Sequence, residues 1–238
     1  MIKNELELSP KSQQIQKMFD TISPKYDFLN RLLSFRQDVR WRNYLVKSLP
    51  KVPDKNGVLY DVACGTGDVV TACLKKRMDY RTFIGFDISQ GMLNHAIERD
   101  KLNQIRFVQA SAESLPTPEE SAHCVTIAFG LRNVDNREKA LKEFHRVLKK
   151  DGCLIVLEFF PSQNSFFKRI FQFYFKTILP FVGGLFSDKK AYNYLPNSVE
   201  TMPSALEFKS LLEKSNFYQV ESRGWLSGST MIFKCMKK

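Results

Sequence analysis

The 238-residue chain reads as one α/β domain of Rossmann-like type, built on a mostly parallel sheet. Three observations predict this. Short apolar strands alternate with amphipathic helices between residues 58 and 159, a glycine-rich turn follows the first strand, and an acid ends the second. Such alternation implies right-handed crossovers and a ligand crevice at the carboxyl ends of the strands.

Residues 12–49 carry Ile15, Met18, Phe19, Ile22, Tyr26, Leu29, Leu33, Trp41 and Leu45 at helical spacing. They predict an N-terminal helical segment broken near Ser23–Pro24, because proline disfavours a helical residue before it. Pro50, Pro53 and Gly57 mark a loop. Strands are predicted at 58–63, 81–86, 105–109, 124–129 and 153–159, with helices near 69–76, 92–101 and 138–148. Asp151–Gly152 should end the last of these helices. A helix at 205–215 and two β-like runs, 218–225 and 229–236, then close the sheet with an antiparallel pair, giving seven strands. The expected parts are a helical cap (1–57), a cofactor-binding core (58–159), an aromatic insertion (160–203) and a C-terminal helix with its strand pair (204–238).

A net charge of +11 favours phosphate-bearing partners, either nucleic acid or an anionic membrane face; a merely solvated basic surface is the other reading. The five cysteines are odd in number and lack C-x-x-C spacing, and the three histidines lie far apart, so neither a disulfide framework nor a metal site is expected. The polar N-terminus is unlike a signal peptide, and the uncharged run 177–187 is too short to span a bilayer. The expected location is the cytoplasm, with peripheral contact at the inner face of the membrane.

The sharpest chemical signal is Asp61-Val62-Ala63-Cys64-Gly65-Thr66-Gly67-Asp68, set between a strand and a helix. Asp87 ends the next strand, 20 residues after Gly67, where a carboxylate can accept both ribose hydroxyls. A dinucleotide loop would carry a third glycine where Val70 stands, and no G-x-x-x-x-G-K-[ST] loop is present. Asp61 and Asp68 would repel a pyrophosphate but suit the ammonium and sulfonium of S-adenosylmethionine. The expected cofactor contacts are Asp61, Gly65, Thr66, Gly67, Asp87, Ser111 and Ala112, the last two meeting the adenine edge. A βα turn without ligand is the plainer alternative.

The chain also resembles the ubiquinone/menaquinone biosynthesis C-methyltransferases over nearly its whole length. The resemblance is carried by Met18–Asn30, Ser34-Phe35, Trp41, the 61–68 loop, Ala112-Glu113-Ser114-Leu115-Pro116, Phe129-Gly130-Leu131-Arg132-Asn133-Val134, Leu157-Glu158-Phe159 and Tyr192-x-Tyr194-Leu195-x-x-Ser198-Val199. It implies a class I S-adenosylmethionine-dependent methyltransferase acting on a ring carbon of a polyprenylated quinol, demethylmenaquinol first. Ser111 departs from the family's usual aspartate or asparagine. Ala128 stands where a serine can contribute, and is left out of the expected site.

Methyl transfer to a ring carbon needs in-line alignment and an electron-rich acceptor. Arg132, Tyr26 and Tyr194 are the catalytic candidates, with Arg132 stabilising a quinolate oxygen. Against this, both tyrosines could simply fill the core, and Arg132 could pair with Glu158 or Asp135. Residues 159–186 hold nine of the 20 phenylalanines, which reads either as core or as a lid over a greasy acceptor. An RNA methyltransferase would need a continuous basic face or an appended module, and neither is visible, so nucleic acid is disfavoured as partner. A membrane-associated scaffold that binds S-adenosylmethionine without turnover, and assembly into a homo-oligomer, stay open.

Overall fold

The apolar alternation of the sequence folds into parallel strands joined by covering helices. In the computed structural model, which describes residues 8–53, 55–161, 194 and 197–238, helices α1 (Pro10–Leu33) and α2 (Gln37–Ser48) precede β1 (Gly57–Val62). There follow α3 (Asp68–Lys76), β2 (Tyr80–Asp87), α4 (Gln90–Arg99), β3 (Arg106–Gln109), β4 (Ala122–Ala128), α5 (Arg137–Val147) and β5 (Leu148–Phe159). The C-terminal part adds α6 (Ala205–Lys214), β6 (Phe217–Trp225) and β7 (Thr230–Lys237).

The seven strands are ordered β3-β2-β1-β4-β5-β7-β6. Strands β1 to β5 are parallel, and β7 runs antiparallel between β5 and β6. The chain winds outward from β1 to β3, then returns to place β4 on the other side of β1. That reversal leaves a crevice above β1 and β4, where neither crossover covers the strand ends.

Both sheet faces are covered. On one, Tyr60, Val62, Val125 and Ile127 pack against Leu141 and Phe144 of α5 and Phe208 and Leu212 of α6. On the other, Leu59, Cys124 and Ile155 meet Trp41 and Leu45 of α2 and Val70 and Cys73 of α3. This double coverage explains why the strands read as near-continuous apolar runs.

Two expectations need correction. The predicted break at Ser23–Pro24 is absent, since α1 runs unbroken through Pro24. Proline cannot supply the N–H that the Asp20 carbonyl would receive; the Ser23 hydroxyl donates to that carbonyl instead, at 3.0 Å. Likewise, Asp151–Gly152 does not end a helix. Helix α5 stops at Val147 and β5 begins at Leu148, with Ala122 paired to Leu148 and Cys124 to Cys153. The extra residues form an irregularity within the strand, eased by Asp151 at φ +58.

Phe160, at the root of the aromatic insertion, is buried against Phe208 and Phe233. The expected stripe of Phe167, Phe171, Tyr174 and Ile178, and the rest of 162–193, lie outside the described residues. Among the described residues no helix is long and apolar enough to cross a membrane.

Candidate functional site at the strand ends

The two strands flanking the crevice end in strained turns. Ala63 follows β1 at φ +52 and Phe129 follows β4 at φ +59, both in the left-handed region that non-glycine residues avoid. The loops approach so closely that a Cβ on Gly130 would lie 2.4 Å from the Ala63 Cβ. Gly65 (φ +55) completes the first turn, and Gly67 (φ +79) is the residue from which α3 starts.

Two adjoining cavities open here, one larger than the other, sharing Tyr26, Ala63, Gly65 and Ala128 as walls. The larger is bounded by Asp87, Ile88, Met92, Ser111, Ala112 and the 129–130 turn. The smaller holds Asp61, Thr66 and Arg42. Ala128, left out of the expected site, therefore belongs to the walls of both: the end of β4 passes between them, and it contributes through backbone position rather than a polar side chain.

Asp61 is 1% exposed. Its Oδ1 accepts a 2.8 Å hydrogen bond from Thr126 on the neighbouring strand, while Oδ2 is buried with no hydrogen-bond partner among the described residues. Burial raises its pKa to about 7, although the Thr126 hydroxyl and the Val70 N–H both favour the carboxylate. A buried carboxylate oxygen left open in a cavity wall is completed by a cation or donor, as the ammonium of S-adenosylmethionine would be. Burial also lifts Asp87, to about 6, although its oxygens accept the Gly65 N–H at 2.8 Å and the Ser89 N–H at 2.9 Å. These bonds fix the carboxylate facing the larger cavity and leave each oxygen a further lone pair for a hydroxyl. Ser111 and Ala112 lie across from it, and the Ser111 hydroxyl accepts the Glu113 N–H at 3.2 Å. The donor set thus fits the cofactor.

Thr66 and Gly67 stand differently. The Thr66 hydroxyl donates to Asp27 at 2.7 Å. Gly67 lines neither cavity; a Cβ there would press on the Phe107 ring at 3.3 Å, so its part is in the turn and its packing. Asp68 is not the cation receiver expected. Arg31, Arg99 and Arg42 lie 3.0, 2.7 and 3.4 Å from its carboxylate, which outweigh burial and hold its pKa below the usual range. Its charge is already spent within the protein.

Those arginines also belong to a feature that sequence spacing did not reveal. Arg99 bridges Asp68 to Asp27 at 2.8 Å, Gln16 donates to the Ile88 carbonyl at 2.9 Å, and Asp20 accepts from Ser89 and Gly91 at 2.6 and 2.8 Å. Together they fasten α1 over the larger cavity, where Ser12, Ile15 and Phe19 become walls. The apolar stripe of α1 signalled a packed helix; which part of it would face a void was not encoded in its period.

Of the three catalytic candidates, Tyr26 lines both cavities, whereas Arg132 and Tyr194 line neither. Arg132 is buried, with Nη1 2.7 Å from Glu158 and also donating to the Phe129 carbonyl; Glu158 is fully buried and accepts the Arg132 and Phe159 N–H groups. The salt bridge foreseen as an alternative is therefore formed, while the Arg132 Nε is buried without a hydrogen-bond partner among the described residues. Tyr26 and half-buried Tyr194 both feel the Arg132 charge, yet burial dominates and raises each phenol's pKa. Both remain neutral donors near pH 7. Asn133, in the larger cavity wall, also has a buried Oδ1 without a hydrogen-bond partner among the described residues.

The chain is similar to known proteins over nearly its whole length. The chain is 42% identical over 232 residues, 95% of its length and 89% of the relative's, to the ubiquinone/menaquinone biosynthesis C-methyltransferase UbiE of Geobacter sulfurreducens. The protein of that name from Campylobacter jejuni (NCTC 11168) is 38% identical over 234 residues, covering 95% of this chain and 99% of the relative. In fold, a SAM-dependent methyltransferase of Thermotoga maritima superposes with a TM-score of 0.67 over 94% of this chain and 99% of its own, at 22% identity. The model of the ubiE/COQ5 methyltransferase family matches residues 8–237, and the chain belongs to that family.

Proposed function

We propose that this chain transfers a methyl group from S-adenosylmethionine to a ring carbon of a polyprenylated quinol, converting demethylmenaquinol to menaquinol, while in contact with an anionic membrane surface. The observation that carries the reading is Asp61: a buried carboxylate with one oxygen open in a cavity wall, beside a glycine turn and a second strand-end acid. When bound, the cofactor supplies an electrophilic methyl carried on a sulfonium. Asp61 receives its ammonium, Asp87 its ribose hydroxyls, and Ser111 with Ala112 its adenine edge, against the apolar walls Ile88 and Met92.

The protein's own work is then alignment and electrostatics. Arg132, held by Glu158 in a water-poor setting, would stabilise the quinolate oxygen formed when the acceptor's hydroxyl loses its proton. That charge flows through the ring as the neighbouring carbon takes the methyl, the methyl–sulfur bond breaks, and the ring carbon then gives up its proton to restore the aromatic ring. Tyr26 and Tyr194, kept protonated by burial, donate to and orient that oxygen. Exclusion of water by α1 favours the loss of charge at sulfur and keeps out competing nucleophiles.

Labelled S-adenosylmethionine incubated with the purified protein and with naphthoquinol and benzoquinol acceptors in detergent should place label in the naphthoquinol. Label in RNA would support a nucleic-acid methyltransferase instead, and binding without transfer to either quinol a scaffold. Asp87→Ala should abolish cofactor binding with the fold retained; unchanged affinity would show the ribose assignment wrong.

A further inference from the structure

The end of α1 closes in a way that local stability does not explain. The Arg36 N–H donates to the Arg31 carbonyl at 2.9 Å and the Phe35 N–H to Leu32 at 3.2 Å, the paired bonds of a Schellman closure. That closure sets residue 35 in the left-handed region where glycine is the usual occupant, yet here it is a phenylalanine at φ +49. Arg36 follows at φ +60. The ring so placed is 79% exposed, and Phe28 and Leu32, at spacings of seven and three residues before it, are 59% and 43% exposed. An aromatic held at a glycine position and turned toward solvent is a cost to the fold that burial does not offset.

Between residues 25 and 51 the exposed charged side chains are all basic. Arg36 and Arg40 are exposed. The acids between residues 25 and 51 are Asp27 and Asp38, and both are neutralised: Asp27 by Arg99 and Arg31, Asp38 by Arg42. We propose that the tip formed by Phe28, Leu32 and Phe35, rimmed by Arg36 and Arg40, docks the protein onto an anionic lipid bilayer. This rests on the quinol reading above, since a polyprenylated acceptor resides in such a bilayer. The apolar side chains enter the boundary between headgroups and acyl chains, and the guanidinium groups pair with lipid phosphates. The same helix lends Tyr26 to the cavity walls, so docking brings the site to the surface from which the acceptor comes. A second copy fits worse: a two-fold contact through so small a tip would set Arg36 and Arg40 against their own images.

Flotation with vesicles of phosphatidylcholine alone, or with added phosphatidylglycerol, tests the proposal. Wild-type protein should float with the anionic vesicles and be released by salt. Phe35→Gly relieves the left-handed strain, so its Tm should equal or exceed wild type while anionic-vesicle binding falls about tenfold or more. The double variant Arg36→Gln/Arg40→Gln should lose roughly 30-fold. Both variants should keep wild-type affinity for S-adenosylmethionine and, in detergent, wild-type methylation of a short-chain quinol, so failure of docking and failure of the quinol reading are read separately. Equal wild-type binding to both vesicle types, no vesicle binding at all, or unaltered binding by Phe35→Gly overturns the proposal. So does a shift from dimer to monomer in Phe35→Gly, which would make the tip a self-association surface.

Discussion

Asp61 shows how one residue can be costly to the free protein and useful to the complex. An unfolded aspartate titrates near pH 4, whereas this one titrates at about 7 because burial disfavours its charge. Between those values the folded chain holds the extra proton, so the group's contribution to stability is greatest in acid and declines as pH rises to about 7. Asp61→Asn should therefore stabilise the ligand-free protein at pH 8 by on the order of a few kcal/mol, with little gain at pH 4. The same change should weaken S-adenosylmethionine binding, most at alkaline pH. Urea melts at the two pH values would expose an error if the gain were larger in acid. Glu158 poses the complementary case. Glu158→Ala would leave the Arg132 guanidinium buried without its counterion, and should cost about 3–5 kcal/mol of stability. Glu158→Gln, keeping size and acceptor oxygen, should fold better than the alanine variant yet lose turnover, if the held charge at Arg132 matters to the reaction.

At the scale of elements, α1 depends on a substitution of one donor for another. The Ser23 hydroxyl occupies the carbonyl that Pro24 leaves open. Ser23→Ala should cost about 1 kcal/mol, and Pro24→Ala, which restores the N–H, should raise stability by a comparable amount or more, as read by thermal denaturation. A lower Tm for Pro24→Ala would mean that the ring itself is packed and needed. The ionic cluster at the other end of α1 is a second element-level dependence. Asp68→Asn removes the shared anion of Arg31, Arg42 and Arg99 and should destabilise by about 1–3 kcal/mol. High salt should narrow the difference from wild type, because two of the three arginines are partly exposed.

For the whole molecule, the sheet order decides where a ligand can sit, and charge decides which ligand. S-adenosylmethionine at about 100 times its Kd should add about 2.7 kcal/mol, a rise in Tm of roughly 5–10 °C for a chain of this size. NAD and ATP should leave Tm unchanged, since Asp61 and Asp87 oppose a pyrophosphate near the turn. Much of this frame is legible before folding. The strand positions, the glycine turn and the strand-end acid follow from short apolar runs, from conformational needs and from spacing, which are local properties. The helix break at Pro24 misled because the rescue comes from a neighbouring hydroxyl whose rotamer is not a matter of period. Asp68 misled for a different reason: its sign was readable, but its neighbours Arg31, Arg42 and Arg99 lie far off in the chain.

What the amino-acid order determined by itself was the class of fold, the cofactor turn and the residue types able to greet a methyl-bearing cation. Tertiary structure alone decided which of those groups still had something to offer. Asp61 keeps an open oxygen, Asp68 is consumed by three arginines, and Arg132 is committed to Glu158. The reason is physical: a side chain's chemistry is set by its type, but its free valence depends on every charge and donor brought within a few ångströms. Most of those arrive from remote parts of the chain.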